Sequence, residues 1–106
     1  PDNRDYMFER LRGCDGIDCY NDQIAYGAID LLTSRGVRVP EDVLVTGFDN
    51  SSVSEYSPVK ITSFAHPKDE MGRIAANKLI HMLRSGEQEH PLILDMPLFE
   101  KQSTAR

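Results

Sequence analysis

One apolar segment near the middle of the chain constrains the fold more than any other feature. Val43-Leu-Val-Thr-Gly-Phe48 is an almost continuous run of apolar residues. A run of this kind is typical of a strand that is buried on both faces, as the strands of parallel sheets are. The sequence therefore predicts a parallel sheet that contains this segment.

Helical periodicity appears on both sides of this strand. Gln23–Arg35 has apolar residues on one face and is followed by Gly36, a typical helix terminator. A second, longer helix begins at Pro67 and stops at Gly86. The predicted inward face of the first helix comprises Ile24, Ala28, Leu31 and Leu32, and that of the second comprises Met71, Ile74, Ala75, Leu79, Met82 and Leu83.

The remaining segments complete an alternation of helices and strands. Asp49–Pro58 is polar and rich in serine, which predicts a loop with room for one helical turn. The other predicted elements are a helix at Asn3–Arg12, strands at Asp15–Tyr20 and Ile61–Ala65, and one or two short strands at Leu92–Leu94 and Met96–Phe99. This order predicts an α/β fold with one core, in which helices cover both faces of a mostly parallel sheet.

The composition limits the partners that this segment can have. A formal net charge of -5 leaves no general positive field to attract a phosphate backbone, so we expect no direct contact with DNA. The longest apolar run is far shorter than the roughly 20 residues that cross a bilayer, so we predict no membrane role. Cys14 and Cys19 match neither a redox pair nor a zinc motif. We interpret them as free thiols of a cytoplasmic protein, with a disulfide between them as the open alternative.

Polar side chains follow three of the predicted strands at the point where each strand ends. The three segments are Tyr20-Asn21-Asp22, Phe48-Asp49-Asn50 and Ala65-His66. Ligands of open α/β sheets bind beyond the carboxyl ends of the strands, where such side chains come together. The sequence therefore predicts a small-molecule site at this rim of the sheet.

The residue types at this rim suit a ligand with hydroxyl groups. Asn21 can donate and accept hydrogen bonds, and the Asp49 carboxylate can accept two hydroxyl hydrogens, as vicinal hydroxyls of a sugar or ribose require. Tyr20 can stack on a sugar ring, and His66 can bond a hydroxyl or simply pack. The same positions also suit helix and turn caps, so that alternative stays open for Asn21 and Asp49. We interpret Asp22 as a helix cap and Phe48 as a core residue.

The sequence does not support catalysis by this segment. It contains no phosphate-binding loop, no nucleophile elbow and no zinc motif. A nucleophile with a base in reach is also not indicated. We therefore predict no enzymatic activity, no cofactor and no metal site.

Several motifs resemble the effector-binding domain of LacI/GalR-type transcription regulators, which has a periplasmic-binding-protein-like type I fold. The matching segments are Tyr20–Ala25, Gly36–Val43, Val45–Asp49, Ile61-Thr62, Met71-Gly72 with Ala75-Ala76, and Gln102–Thr104. They run from about residue 15 to the end of the chain. The resemblance implies that residues 1–106 form the carboxyl-terminal portion of the sensor domain, within one subdomain. It also implies that the other subdomain and the DNA-binding domain lie outside them.

The resemblance also implies roles for individual residues. Asn21 and Asp49 stand at the family's effector-contacting positions, and His66 aligns with a polar position that lines the pocket. Asn50 departs from the more usual second aspartate, which puts that contact in doubt. The Tyr20-Asn21-Asp22 and His66-Pro67-Lys68 segments look most like arabinose-type repressors, which carry a GntR-type DNA-binding head.

For the whole regulator, the resemblance implies a cytoplasmic homodimer that binds a small sugar such as arabinose between two subdomains. Sugar binding would change the affinity of a separate domain for operator DNA. One alternative is a solute-binding protein of a sugar transport system. Another is a phosphoacceptor domain, with Asp49 as the acceptor and Lys60 or Lys68 as its charge partner, although its acidic pair is incomplete.

Overall fold

A computed structural model describes residues 3–105, which form two compact units. The first unit contains the chain up to Ala65 and the segment from Leu98 onward, and the second contains His66–Pro97. The one core that the sequence predicts lies in the first unit. The second unit forms its own contacts, and its one helix, described below, has no buried residue.

The first unit has the α/β order that the sequence predicts. In chain order its elements are α1 (Asn3–Leu11), β1 (Gly16–Asp18), α2 (Asp22–Ser34), β2 (Leu44–Phe48), α3 (Ser52–Tyr56), β3 (Thr62–Phe64), β4 (Leu98–Phe99) and a 3₁₀ turn (Gln102–Thr104). The strands form one sheet in the order β1-β2-β3-β4. The first two pairings are parallel and β3-β4 is antiparallel, which confirms the mostly parallel α/β fold.

The sheet register brings the ends of three strands to one edge. Ile17 pairs with Val45 in β1-β2, and Gly47 pairs with Ser63 in β2-β3. Because these pairings are parallel, the segments that follow β1, β2 and β3 leave the sheet at the same edge. The predicted convergence of Asn21 and Asp49 at one rim depends on this register.

The core of the first unit lies between α2 and the sheet. Ala25, Ile29 and Leu32 of α2 are buried with Val45 of β2 and with Ile61, which precedes β3. These three α2 positions continue a row that begins at buried Asp22. Of the predicted inward face, Leu31 and Leu32 are buried and Ala28 packs against the core, but Ile24 does not belong to it. Ile24, assigned to that face, is 52% exposed.

The buried hydroxyl of Ser103 links β2 to the start of β3 by hydrogen bonds. The Ser103 hydroxyl donates to the Val45 carbonyl at 2.5 Å and accepts from the Thr62 backbone amide at 2.8 Å. Ser103 is fully buried, and its own amide donates to the Lys60 carbonyl. The Gln102–Thr104 motif thus completes the hydrogen bonding of two strands at the edge opposite to the candidate rim.

The second unit contains α4 (Lys68–Ser85), and residues 86–97 after it form neither helix nor strand. Gly86 ends the helix in the left-handed conformation, with φ of 72°, as predicted. The predicted inward stripe was wrong, since Leu79 and Leu83 are 56% and 77% exposed. Of the one or two short strands predicted at Leu92–Leu94 and Met96–Phe99, the second forms as β4, whereas residues 92–94 form neither helix nor strand. Among residues 3–105 no helix is both long and apolar enough to cross a membrane.

The close packing of α2 on β2 gives a stability prediction. A Cβ atom at Gly47 would collide with Asp22 Oδ1 and would lie 3.1 Å from both the Asp22 Cα and the Ile61 Cγ2 atoms. We expect Gly47→Ala to lower the free energy of unfolding by about 1–3 kcal/mol in a urea titration. Gly27→Ala is the matched control, because nothing lies within 4 Å of its added Cβ. In mid-helix it should raise stability by roughly 0.5–1 kcal/mol, and equal effects of the two variants would contradict the packing argument.

Candidate functional site

The candidate site is the edge of the first unit where β1 and β2 end. Beyond β1, the Cys19 amide donates to the Thr46 carbonyl at 2.9 Å, which carries the ladder up to Tyr20 and Asn21. Beyond β2, the Asp49 amide donates to the Phe64 carbonyl at 2.8 Å. Asn21, Asp49 and the 84%-exposed Tyr20 therefore leave the sheet at the same edge, as the sequence predicts.

Asn21 is the N-cap of α2. Its backbone is extended and its side-chain Oδ1 accepts from the Ile24 amide at 2.9 Å. This confirms the capping interpretation of Asn21 and orients its side chain, because the oxygen is fixed toward the helix. The amide nitrogen of the same side chain is then the group that can donate to a ligand.

Asp22 is not the cap, so our interpretation of this residue was wrong. It is the first residue of α2, only 1% exposed, and its carboxylate reaches across to two other segments. Oδ2 accepts from the Ser51 amide at 2.6 Å and from the Ser51 hydroxyl at 3.0 Å, and Oδ1 accepts from the Ser63 hydroxyl at 2.6 Å. Asp22 thereby connects the start of α2 with β3 and with the loop after β2.

The loop after β2 has an unusual backbone. Asp49 and Asn50 have φ angles of 98° and 50°, in the left-handed region that residues with a side chain rarely adopt. Asn50 is held there by its amide, which donates to the buried Ser63 hydroxyl at 2.9 Å. Such conformations are concentrated at functional sites, where the surrounding structure maintains them.

Lys101 holds the same loop from its other side. Its side chain is 13% exposed, and Nζ donates to Asn50 Oδ1 at 2.6 Å and to the Ser54 hydroxyl at 2.9 Å. The same ammonium pairs with Glu55 Oε1 at 2.9 Å. The hydrogen bond from Lys101, with further attraction from Lys60, lowers the pKa of the Glu55 carboxyl below its ordinary value. The Asn50 side-chain oxygen is thus used within the protein.

Two aromatic rings adjoin the candidate rim. Phe48 and Phe64 occupy paired positions at the ends of β2 and β3, with ring centroids 6.3 Å apart and ring planes inclined by 43°. Both rings are half-buried. Phe48 does not belong to the core cluster that includes Val45, so its assignment to the core was wrong. Side chains alternate along β2, and Phe48 points away from the face that Val45 buries.

His66 belongs to the second unit. It is half-buried and lines a groove of about 490 Å³ together with Met71, Ile74 and Leu92. The Lys78 ammonium donates to the His90 carbonyl at 2.9 Å beside this groove. The role of His66 in effector binding stays a prediction from the sequence.

The structure also bears on the cysteines and on the phosphoacceptor alternative. Cys14 and Cys19 are both free thiols, which confirms that interpretation. Burial, together with the charge of Asp18, raises the pKa of the Cys19 thiol. The Lys60 ammonium, one suggested partner of Asp49, forms an ion pair with Glu55 at 3.6 Å. In the described part of the chain, no three His, Cys, Asp or Glu side chains are grouped so that they could hold a metal ion.

Comparison with known sequences gives a match to one domain family. Residues 3–104 match the periplasmic binding protein-like domain. An arabinose metabolism transcriptional repressor of Halalkalibacterium halodurans is 40% identical over 96 residues, which are 85% of this chain and 26% of the repressor. The chain thus spans about a quarter of the length of the curated relatives that it matches.

Solved structures give the same fold. A complex of the transcriptional regulator CelR with cellobiose superposes with a TM-score of 0.81 and 31% identity, over 94% of this chain and 31% of that one. A LacI family transcriptional regulator from Arthrobacter sp. FB24 in complex with lactose gives a TM-score of 0.80 and 27% identity, over 96% and 39%. These matches confirm the resemblance to LacI-type regulators and the periplasmic-binding-protein-like fold.

The ion pair of Glu55 gives a pH-dependent prediction. The pKa of the Glu55 carboxyl is lowered in the folded protein, so the ion pair stabilises the fold at pH values above the ordinary pKa of 4.5. This stabilisation is lost as the pH falls through the lowered pKa. We expect Glu55→Gln to lower the melting temperature at pH 7 and the difference from wild type to close in acid. Glu87→Gln is the control, since no ion pair of Glu87 occurs within residues 3–105. A difference for Glu55→Gln that does not shrink as the pH is lowered would contradict the assignment.

Proposed function

We propose, for a chain that belongs to the periplasmic binding protein-like domain family, a role in effector sensing within a LacI-type transcriptional repressor. The observation that carries the proposal is the rim at the ends of β1 and β2, where Asn21 and Asp49 leave the sheet side by side. Asn21 caps α2, and the backbone amide of Asp49 is hydrogen-bonded to the Phe64 carbonyl of β3. A preformed rim of this kind suits recognition of a small molecule.

The chemistry of the rim supports a sugar as the effector. The Asp49 carboxylate can accept hydrogen bonds from two neighbouring hydroxyls, and the Asn21 amide can donate to a hydroxyl or ring oxygen. Tyr20 is 84% exposed, so its ring is available to cover the apolar face of a sugar. Arabinose is our first choice, because the 40%-identical relative is named as a repressor of arabinose metabolism.

The remaining parts of the sensing apparatus belong to the longer protein that we propose. Residues 1–106 would be the carboxyl-terminal portion of its sensor domain, with the DNA-binding domain and the rest of the effector pocket elsewhere. The regulator would act in the cytoplasm as a homodimer joined through the sensor domain. Sugar binding would favour one arrangement of the dimer and change operator affinity, through a coupling of about 1–3 kcal/mol.

The first experiment is a titration of the full-length protein with L-arabinose, D-ribose, cellobiose and lactose. Thermal stability and operator binding are measured in the same samples, because a ligand that binds only the folded state raises the melting temperature. The proposal predicts that one sugar raises the melting temperature and shifts operator affinity. Stabilisation without any effect on operator binding would favour a solute-binding protein of sugar transport. No response to the four sugars would overturn this choice of effector class.

Removal of the Asp49 carboxylate tests the main ligand contact. We expect Asp49→Ala to weaken sugar binding by about ten- to a hundredfold, the loss typical of charge-assisted hydrogen bonds, and to leave operator binding intact. Isothermal calorimetry measures the first quantity and an operator-binding assay the second. A variant that responds at wild-type sugar concentrations would exclude Asp49 from the pocket. Loss of both functions would indicate a folding role.

Asn21 caps α2 and is also a proposed sugar contact, so a substitution that affects only one of these roles is needed. Ser is as good an N-cap as Asn, so Asn21→Ser keeps the acceptor for the Ile24 amide and removes the side-chain NH₂ group. We expect the unfolding free energy to change by less than about 0.5 kcal/mol and the sugar affinity to fall by about tenfold. Unchanged affinity would leave Asn21 with the capping role alone.

A further inference from the structure

We infer that Asp22 is a positioning residue for the effector rim: its buried carboxylate holds the loop at residues 49–51 in the conformation that presents Asp49. The inference rests on the proposed function, since it concerns the same rim. Asp22 itself is 1% exposed and does not reach a ligand. Its effect on binding would pass entirely through the loop.

The loop depends on hydrogen bonds from outside itself. Its consecutive amides donate to three different acceptors: Asp49 to the Phe64 carbonyl, Asn50 to the Ser63 hydroxyl, and Ser51 to the Asp22 carboxylate. Two of the three bonds involve Asp22, directly for Ser51 and through Ser63 for Asn50. Because φ is positive at both Asp49 and Asn50, the loop would relax to a commoner conformation once these bonds were lost.

The donors and acceptors in the hydrogen bonds around Asp22 require a carboxylate at this position. The Ser63 hydroxyl accepts from the Asn50 amide, so its one proton is available for Asp22 Oδ1 at 2.6 Å. The other oxygen of Asp22 accepts two bonds from Ser51. An amide side chain has one oxygen only, so an Asn here would turn its NH₂ group toward either the Ser51 donors or the Ser63 proton. In the second case the Ser63 proton could reach only the Phe64 carbonyl, at 3.4 Å.

The packing around Asp22 keeps its carboxylate in place. β2 passes beneath the carboxylate at Gly47, where a side chain would occupy the position of Oδ1. The preceding residue, Asn21, is the N-cap of the same helix. One turn of α2 therefore fixes both proposed sugar contacts, Asn21 through the backbone and Asp49 through the Asp22 side chain.

The test compares Asp22→Asn with a control of similar structural cost in the full-length protein. Ser103→Ala is that control, because Ser103 is equally buried and its hydroxyl bonds Val45 and Thr62 of the sheet and not residues 49–51. Two quantities are measured at a temperature where all variants are folded. One is hydrogen exchange of the peptide that covers residues 49–51 without sugar, and the other is affinity for L-arabinose, D-ribose, cellobiose and lactose.

We expect Asp22→Asn to accelerate exchange of the loop peptide and to weaken the binding of whichever of these sugars wild type binds, each by about tenfold. Ser103→Ala should leave both quantities within about twofold of wild type, although its melting temperature falls. The inference is overturned if Asp22→Asn leaves either quantity unchanged, or if Ser103→Ala changes both equally.

The experiment still gives a decision if wild type binds no sugar or if Asp22→Asn does not fold. If wild type binds none of the four sugars, the proposed effector class fails, and the exchange measurement alone decides whether Asp22 positions the loop. If Asp22→Asn does not fold, Ser63→Ala replaces it, because it removes the acceptor of the Asn50 amide and keeps the carboxylate. Exchange at wild-type rates in Ser63→Ala would then overturn the inference.

Discussion

The structure of the first unit depends on one buried carboxylate. Asp22 accepts three hydrogen bonds at the point where α2, β3 and the loop after β2 meet. Burial of a charge is unfavourable unless it is paired or hydrogen-bonded, so the donors of Ser51 and Ser63 offset the free-energy cost of burying this carboxylate. The absence of a side chain at Gly47 is part of the same arrangement, because it lets the carboxylate lie directly over β2.

Local signals in the sequence were sufficient for much of the fold. Both long helices were predicted close to their observed ends, because Gly36 and Gly86 carry positive φ angles at which helices stop. The parallel pairing of β1 and β2 followed from the apolar run at 43–48 and from the helix before it. The convergence of Asn21 and Asp49 followed in turn, because it needs only parallel strands and their chain order.

What the sequence could not predict were contacts between distant segments. Asp22 and Ser63 are 41 positions apart, and nothing local distinguishes an Asp that caps a helix from one that turns inward. The second unit escaped prediction for a similar reason. Its helix has an apolar stripe, but periodicity alone does not say whether a partner covers that stripe.

The loop that presents Asp49 is held from two sides, which has a consequence for sensing. Asp22 binds it from the start of α2, and Lys101 binds Asn50 from the segment after β4. The backbone of Lys101 is in turn fixed, since its amide donates to the Thr62 hydroxyl at 2.7 Å. A rim held in this way would lose little conformational freedom on binding the proposed effector, so little of the binding free energy would be needed to order it. The conformational response that a LacI-type sensor requires would then arise from parts of the protein outside this rim.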